Sequence, residues 1–170
     1  MYKFLLAIII IPLSIGFVSK PKCYEKKVNG LYSVCIPLSL SEIKGLNPDA
    51  SLQFTNPKDN IFIIVIDEAI SDLDKVEADY SLRNYLKFAI VNMGELKNRV
   101  VGNPESIVIG GVDALQTKIT GGFDGTDYEF RLIVLRSKTH MFQILAWNGA
   151  NLKEKKKIAV NEMIMSFRLL

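Results

Sequence analysis

Ile61-Phe62-Ile63-Ile64-Val65-Ile66 is apolar at every position, and five of its six side chains are β-branched. Branching at Cβ suits pleated backbone, so residues 60–67 read as a strand. A strand with one wet face alternates apolar and polar residues. This one does not alternate, so both of its faces are covered, as in a central strand. Asn56-Pro57-Lys58-Asp59 just before it is turn chemistry, and residues 51–55 read as a further strand.

Downstream the period changes. Leu82, Tyr85, Leu86, Ala89, Ile90 and Met93 recur at helical spacing, one apolar stripe of an amphipathic helix over residues 76–96. Gly94 weakens that helix near its end. Pro104 opens a strand-rich stretch in which Gly110-Gly111 and Asp124-Gly125 mark turns on either side of a strand at 114–123. Tyr128, Phe130, Leu132 and Val134 alternate with Glu129 and Arg131 on the next strand. Residues 137–140 turn the chain into another at 141–147. Asn151, with Glu154 three residues on, suits the N-cap of a last helix to about residue 167. Its buried stripe is Val160, Met163, Ile164 and Phe167.

Strands in runs, separated by single helices, define an α+β class with an antiparallel sheet rather than βαβ units. The doubly apolar strand adds that helices cover the sheet on both faces, an α/β/α sandwich. No internal repeat, low-complexity tract or second domain interrupts it.

The N-terminus carries an address. Lys3 precedes an apolar run from Phe4 to Leu13, and Ser14 and Gly16 supply small residues behind it. These are the parts of a secretory signal peptide. The stretch is short of the 20 or so apolar residues a membrane span needs, contains Pro12 and runs into Lys20 and Lys22. Cleavage is favoured over a retained N-terminal anchor. The signal ends at residue 16, or as late as about residue 19, and residues 17–170 form a single domain. Cys23 is unsuited to lipid attachment, because Lys20, Pro21 and Lys22 precede it. The expected location is periplasmic or extracellular, with no transmembrane span after cleavage.

Cys23 and Cys35 both remain in the mature chain and are expected to pair in an oxidising compartment. Asn29-Gly30 between them is a hairpin signal. A two-residue loop would set Tyr24 opposite Cys35 and mix apolar with polar faces. A three-residue loop at 28–30 sets Cys23 opposite Cys35 and Tyr24 opposite Val34. Matching of faces favours the second register.

Several short motifs resemble the PsbP/DcrB-like superfamily, which includes extrinsic photosystem proteins and bacterial exported proteins. They are Tyr32-Ser33-Val34-Cys35-Ile36-Pro37, Gly111-Val112-Asp113-Ala114, Gly125-Thr126-Asp127-Tyr128 and Ser166-Phe167. The chain departs from that pattern after Pro37, where Leu38-Ser39-Leu40 lacks the tryptophan often found there. The resemblance implies a helix-covered antiparallel sheet and an accessory or binding role. It transfers no catalytic residue.

The remaining chemistry is mostly excluded. A net charge of +3 argues for no nucleic-acid partner, since such proteins concentrate basic residues in a patch or stripe. With His140 the only histidine, a multi-histidine metal site cannot form. His140 reads as an exposed turn residue. No serine lies in a Gly-x-Ser-x-Gly context, and Gly121, Gly122 and Gly125 precede no helix, so they belong to a hairpin tip and not to a phosphate cradle. Asp72-Leu73-Asp74-Lys75-Val76-Glu77 begins like a calcium loop but places Val76 where an oxygen ligand is needed. Asp67, Glu68, Asp72, Asp74, Glu77 and Asp79 together suit the start of a helix, whose dipole favours acids. No catalytic, metal or cofactor site is expected.

Two surface features invite partners. Lys153, Lys155, Lys156 and Lys157 gather at a helix N-terminus, where cations oppose the dipole, so an anionic membrane surface or an acidic partner is one explanation. Trp147 lies near a strand end, where core or rim packing is the first reading and ligand contact the second. The expected function is an exported, non-enzymatic binding or accessory protein whose protein or envelope partner is unnamed. Envelope docking through the four lysines and small-molecule carriage in a cavity between sheet and helix are the alternatives. The carrier reading requires an apolar pocket of several hundred Å3.

Overall fold

In the computed structural model, which describes residues 23–73 and 81–170, the apolar run at 61–66 forms the middle of β5 (Ile61–Ala69). The leader at 1–16 lies outside the described residues, as do Asp74, Glu77 and Asp79 of the acidic run. In chain order, β1 (Cys23–Val28), β2 (Tyr32–Pro37), β3 (Ser41–Glu42) and β4 (Ala50–Asn56) precede β5. After it come α1 (Ile70–Leu73), α2 (Leu82–Asn92), β6 (Lys97–Val101), β7 (Glu105–Ile109), β8 (Val112–Phe123), β9 (Thr126–Arg136), β10 (His140–Gly149), α3 (Glu154–Met165) and β11 (Arg168–Leu169).

Eight strands form one antiparallel sheet in the order β3-β4-β5-β10-β9-β8-β6, with β7 also pairing on β8. A second sheet has the order β1-β2-β11. The class is therefore α+β with a mainly antiparallel sheet.

Alternation on β5 sends its side chains into two environments. Ile61, Ile63 and Val65 join a core with Tyr32, Val34 and Ile36 of β2 and the α3 stripe of Val160, Met163, Ile164 and Phe167. Tyr32 is fully buried there, stacked on Phe167 at 4.8 Å and edge-on to Phe142 at 5.8 Å. The cover on this face thus combines a small sheet with α3, where the sequence suggested helix alone. The reason is the apolar face of the β1-β2 hairpin, which has to be buried against another layer.

On the opposite face, Tyr85, Leu86 and Ala89 of α2 pack on Ile119, Leu132, Val134 and Met141. The stripe is as expected, and the described helix runs from Leu82 with Ser81 as its cap, Ser81 Oγ accepting the Asn84 N–H at 3.3 Å. Residues 76–80 lie outside the description. Its main contacts are with β8 and β9, so α2 lies over that half of the sheet.

Two local readings are corrected. Cys23 and Cys35 are joined by a disulfide with Cα atoms 5.5 Å apart, but Glu25, not Cys23, lies opposite Cys35. The loop is residues 29–31, because Val28 is buried in the core and stays in the strand. Asn29 and Gly30 take positive φ, and Leu31 N–H donates to Val28 C=O at 2.9 Å. A two-residue shift keeps every face, so the cysteines remain diagonal neighbours on one face. The cap of α3 is Lys153, without a side-chain bond, in place of Asn151. A turn closed by Leu152 N–H on Gly149 C=O carries the chain past Asn151 before the helix begins.

Candidate functional site

Cross-strand register builds the site. Trp147 on β10 lies opposite Phe62 on β5 and, on its other side, opposite Phe130 on β9. The rings stack in a row, Phe62 to Trp147 at 5.2 Å and Trp147 to Phe130 at 6.2 Å, and Tyr128 extends it 6.0 Å beyond Phe130. One step along the same face, Ile64, Leu145 and Leu132 form a second row, followed by Ile66 and Gln143. These side chains face away from the α3 core.

Because α2 covers the β8–β9 half, the β5–β10 half forms the floor of a cleft of about 750 Å3. Phe88, Asn92 and Met93 wall it on the α2 side, continued by Glu95 and Leu96. The approach of that connector depends on Gly121: a Cβ there would lie 2.8 Å from the Leu96 Cβ. On the β4 side the wall is Leu46, Asn47 and Asp49. Gln53 braces this loop, accepting the N–H groups of Leu46 (2.9 Å) and Asn47 (3.2 Å) and donating to Asn47 C=O (2.9 Å). Phe88 and Phe123 are 51% and 63% exposed, so apolar rings continue from the floor to the rim.

One end of the floor is polar. Glu68 accepts a short hydrogen bond from the Tyr85 hydroxyl, and Gln143 Nε2 donates to Glu68 Oε2 and to Tyr85 Oη, both at 3.1 Å. Burial, reinforced by the bond to Glu68, pushes the Tyr85 phenol well above the ordinary tyrosine range, although the Gln143 bond opposes this. Tyr85 therefore serves as a hydrogen-bond donor at neutral pH. The described lining contains no Ser, Thr, Cys, His, Lys or Arg.

The residues singled out from sequence are dispersed. Cys23 and Cys35 sit on the small sheet. Lys156 pairs with Asp59, and Lys157 with Glu129 at 2.6 Å, which accounts for two cations at a helix start without an outside partner. Lys153 is the exposed cap, and the Lys155 side chain lies outside the description. His140 is half-buried as the first residue of β10 and not an exposed turn residue, with Nδ1 2.9 Å from Thr139 Oγ1. Trp147 and Glu68 lie in the cleft, and Glu68 belongs to β5 instead of a helix start. Phe62 and Phe130 were not legible as site residues; the apolar run and the Tyr128-to-Val134 alternation contained them, but neither shows which strands become neighbours.

The fold, with its two-layer core, is similar to that of PsbP. Cyanobacterial PsbP (CyanoP) from Synechocystis matches with a TM-score of 0.58 at 14% identity, over 92% of this chain and 98% of that one. LpqN of Mycobacterium tuberculosis, involved in cell envelope biogenesis, matches at 0.58 and 14% over 81% of this chain and 82% of its own. A Bacteroides thetaiotaomicron protein matches at 0.57 and 16% over 82% of this chain and 45% of that chain, so this chain spans less than half of its length. The likeness at such identities is one of fold. No family model and no curated protein matches the sequence.

Proposed function

We propose that this is an exported, non-catalytic binding protein that holds an apolar molecule in the cleft between α2 and the β5–β10 face. The observation that carries the reading is the row of Phe62, Trp147 and Phe130, which turns large apolar surface toward a cleft. Ligand sites are concave, mostly apolar, and range over about 300–1,000 Å3. The cleft has that size, with polar groups concentrated at Glu68 and Gln143.

Export is supported by the leader-like segment at 1–16 and by the Cys23–Cys35 disulfide, since disulfides persist mainly in oxidising compartments. An envelope setting agrees with LpqN, which is involved in cell envelope biogenesis.

Trp147 is the only tryptophan and so reports on the cleft. Titration with the neutral probe N-phenyl-1-naphthylamine should quench Trp147 emission with saturation, and Phe62→Ala and Phe130→Ala should weaken the probe several-fold. Trp147 emission that ignores the probe up to its solubility limit would rule the reading out.

A further inference from the structure

The charges around the cleft are one-sided. Its charged lining residues are Asp49 on the β4 side, Glu95 beyond α2 and Glu68 at the polar end; no described lysine, arginine or histidine joins them. Composition does not explain this, because basic residues outnumber acidic ones by 21 to 18 over the chain. None of the three carboxylates takes part in a described ion pair. Glu68 is held by Tyr85 and Gln143, which are neutral donors, and no described cation pairs with it.

From this we infer that the cleft selects a cationic amphiphile, with its apolar body on the Phe62–Trp147–Phe130 row and its amine or quaternary ammonium toward the carboxylates. This rests on the binding reading above and adds the sign of the ligand's charge. Facing charges of opposite sign stabilise a bound group, and like charges in a partly dry cleft oppose it. An anionic chain such as a fatty acid would bring its carboxylate into a cleft whose described charged lining is all negative. The net charge of +3 works the other way, drawing anions to the surface at large, so a preference for cations has to arise locally.

The test compares three ligands with the same twelve-carbon chain, below micelle formation and at low salt, in displacing N-phenyl-1-naphthylamine from the full mature chain. They are dodecyltrimethylammonium, neutral dodecyl maltoside and dodecanoate. Dodecyltrimethylammonium should displace the probe at about tenfold lower concentration than dodecanoate, and the gap should shrink in ~1 M salt, where the screening length is about 3 Å. Asp49→Asn/Glu95→Gln changes two exposed side chains and Glu68→Gln keeps an acceptor for Tyr85. Either change should narrow the gap between dodecyltrimethylammonium and dodecanoate. If dodecanoate matches or exceeds the cation while the neutral probe still binds, the charge inference falls and the cleft reading stands. If no probe binds, both fall.

Discussion

Trp147 stacks on Phe62 directly across the β5–β10 ladder, with planes 13° from parallel. Such pairs contribute about 0.5–1.5 kcal/mol beyond area burial, yet both rings are only half-buried. Phe62→Ala should therefore cost about 1–2 kcal/mol in chemical unfolding, less than the 3–5 kcal/mol typical of a fully buried phenylalanine. Trp147 emission should shift to the red as its covering ring is lost. A cost of core magnitude would show that Phe62 is sealed from the cleft.

Removing the disulfide should act on stability alone. The bond closes a loop with a sequence separation of 12, for which about 3 kcal/mol is expected. It lies on the small sheet, across the large sheet from the cleft. Cys23→Ser/Cys35→Ser should lower the unfolding midpoint while N-phenyl-1-naphthylamine binds the folded protein as before. Equal midpoints for the two proteins would contradict the placement.

Alkaline pH should unfold the protein through two phenols. Tyr32 and Tyr85 are both pushed upward, by burial first; at Tyr32 the Ser51 hydrogen bond opposes and the Asp67 charge reinforces it. Each folded phenol keeps its proton at a pH where the unfolded chain, with tyrosine near its usual value of about 10, has lost it. The stability so gained is complete below about pH 10 and is lost as pH rises toward the folded values. Urea midpoints should fall between about pH 9 and pH 11.5. Tyr32→Phe/Tyr85→Phe should flatten that fall, whatever its midpoint at neutral pH. An unchanged slope would assign the alkaline loss to other groups.

Gly121→Ala tests the wall beside α2. Its Cβ would meet Leu96 Cβ at 2.8 Å and Lys97 C=O at 3.3 Å, an overpacking that costs about 1–3 kcal/mol. Because Leu96 lines the cleft, affinity for the neutral probe should change with stability. A variant matching the parent in both would mean that the connector does not press on β8.

What the sequence shows well is what neighbours in sequence decide. The unbroken apolarity of 61–66 announced a central strand, but only its Ile61, Ile63 and Val65 face is packed under a layer, while Phe62, Ile64 and Ile66 floor the cleft. The spacing of Tyr85, Leu86 and Ala89 announced the α2 stripe. The Cys23–Cys35 pair followed from compartment and alternation. Its register missed by two residues because Val28 is held by packing from other elements, which alternation does not encode. The α3 cap moved from Asn151 to Lys153 because a backbone turn intervenes. Phe62, Phe130 and Trp147 could not be grouped from sequence: they come from three distant segments, and only the β5-β10-β9 order places them in one row. The same holds for Lys156 with Asp59 and Lys157 with Glu129.

The most direct test of the cleft is to see where a ligand sits. Amide and aromatic NMR shifts of isotope-labelled mature protein, followed through saturation with N-phenyl-1-naphthylamine, should move at Phe62, Ile64, Phe130, Leu145 and Trp147 and stay still on β1, β2 and β11. Shifts confined to α3 or the small sheet, or none at saturating probe, would contradict it.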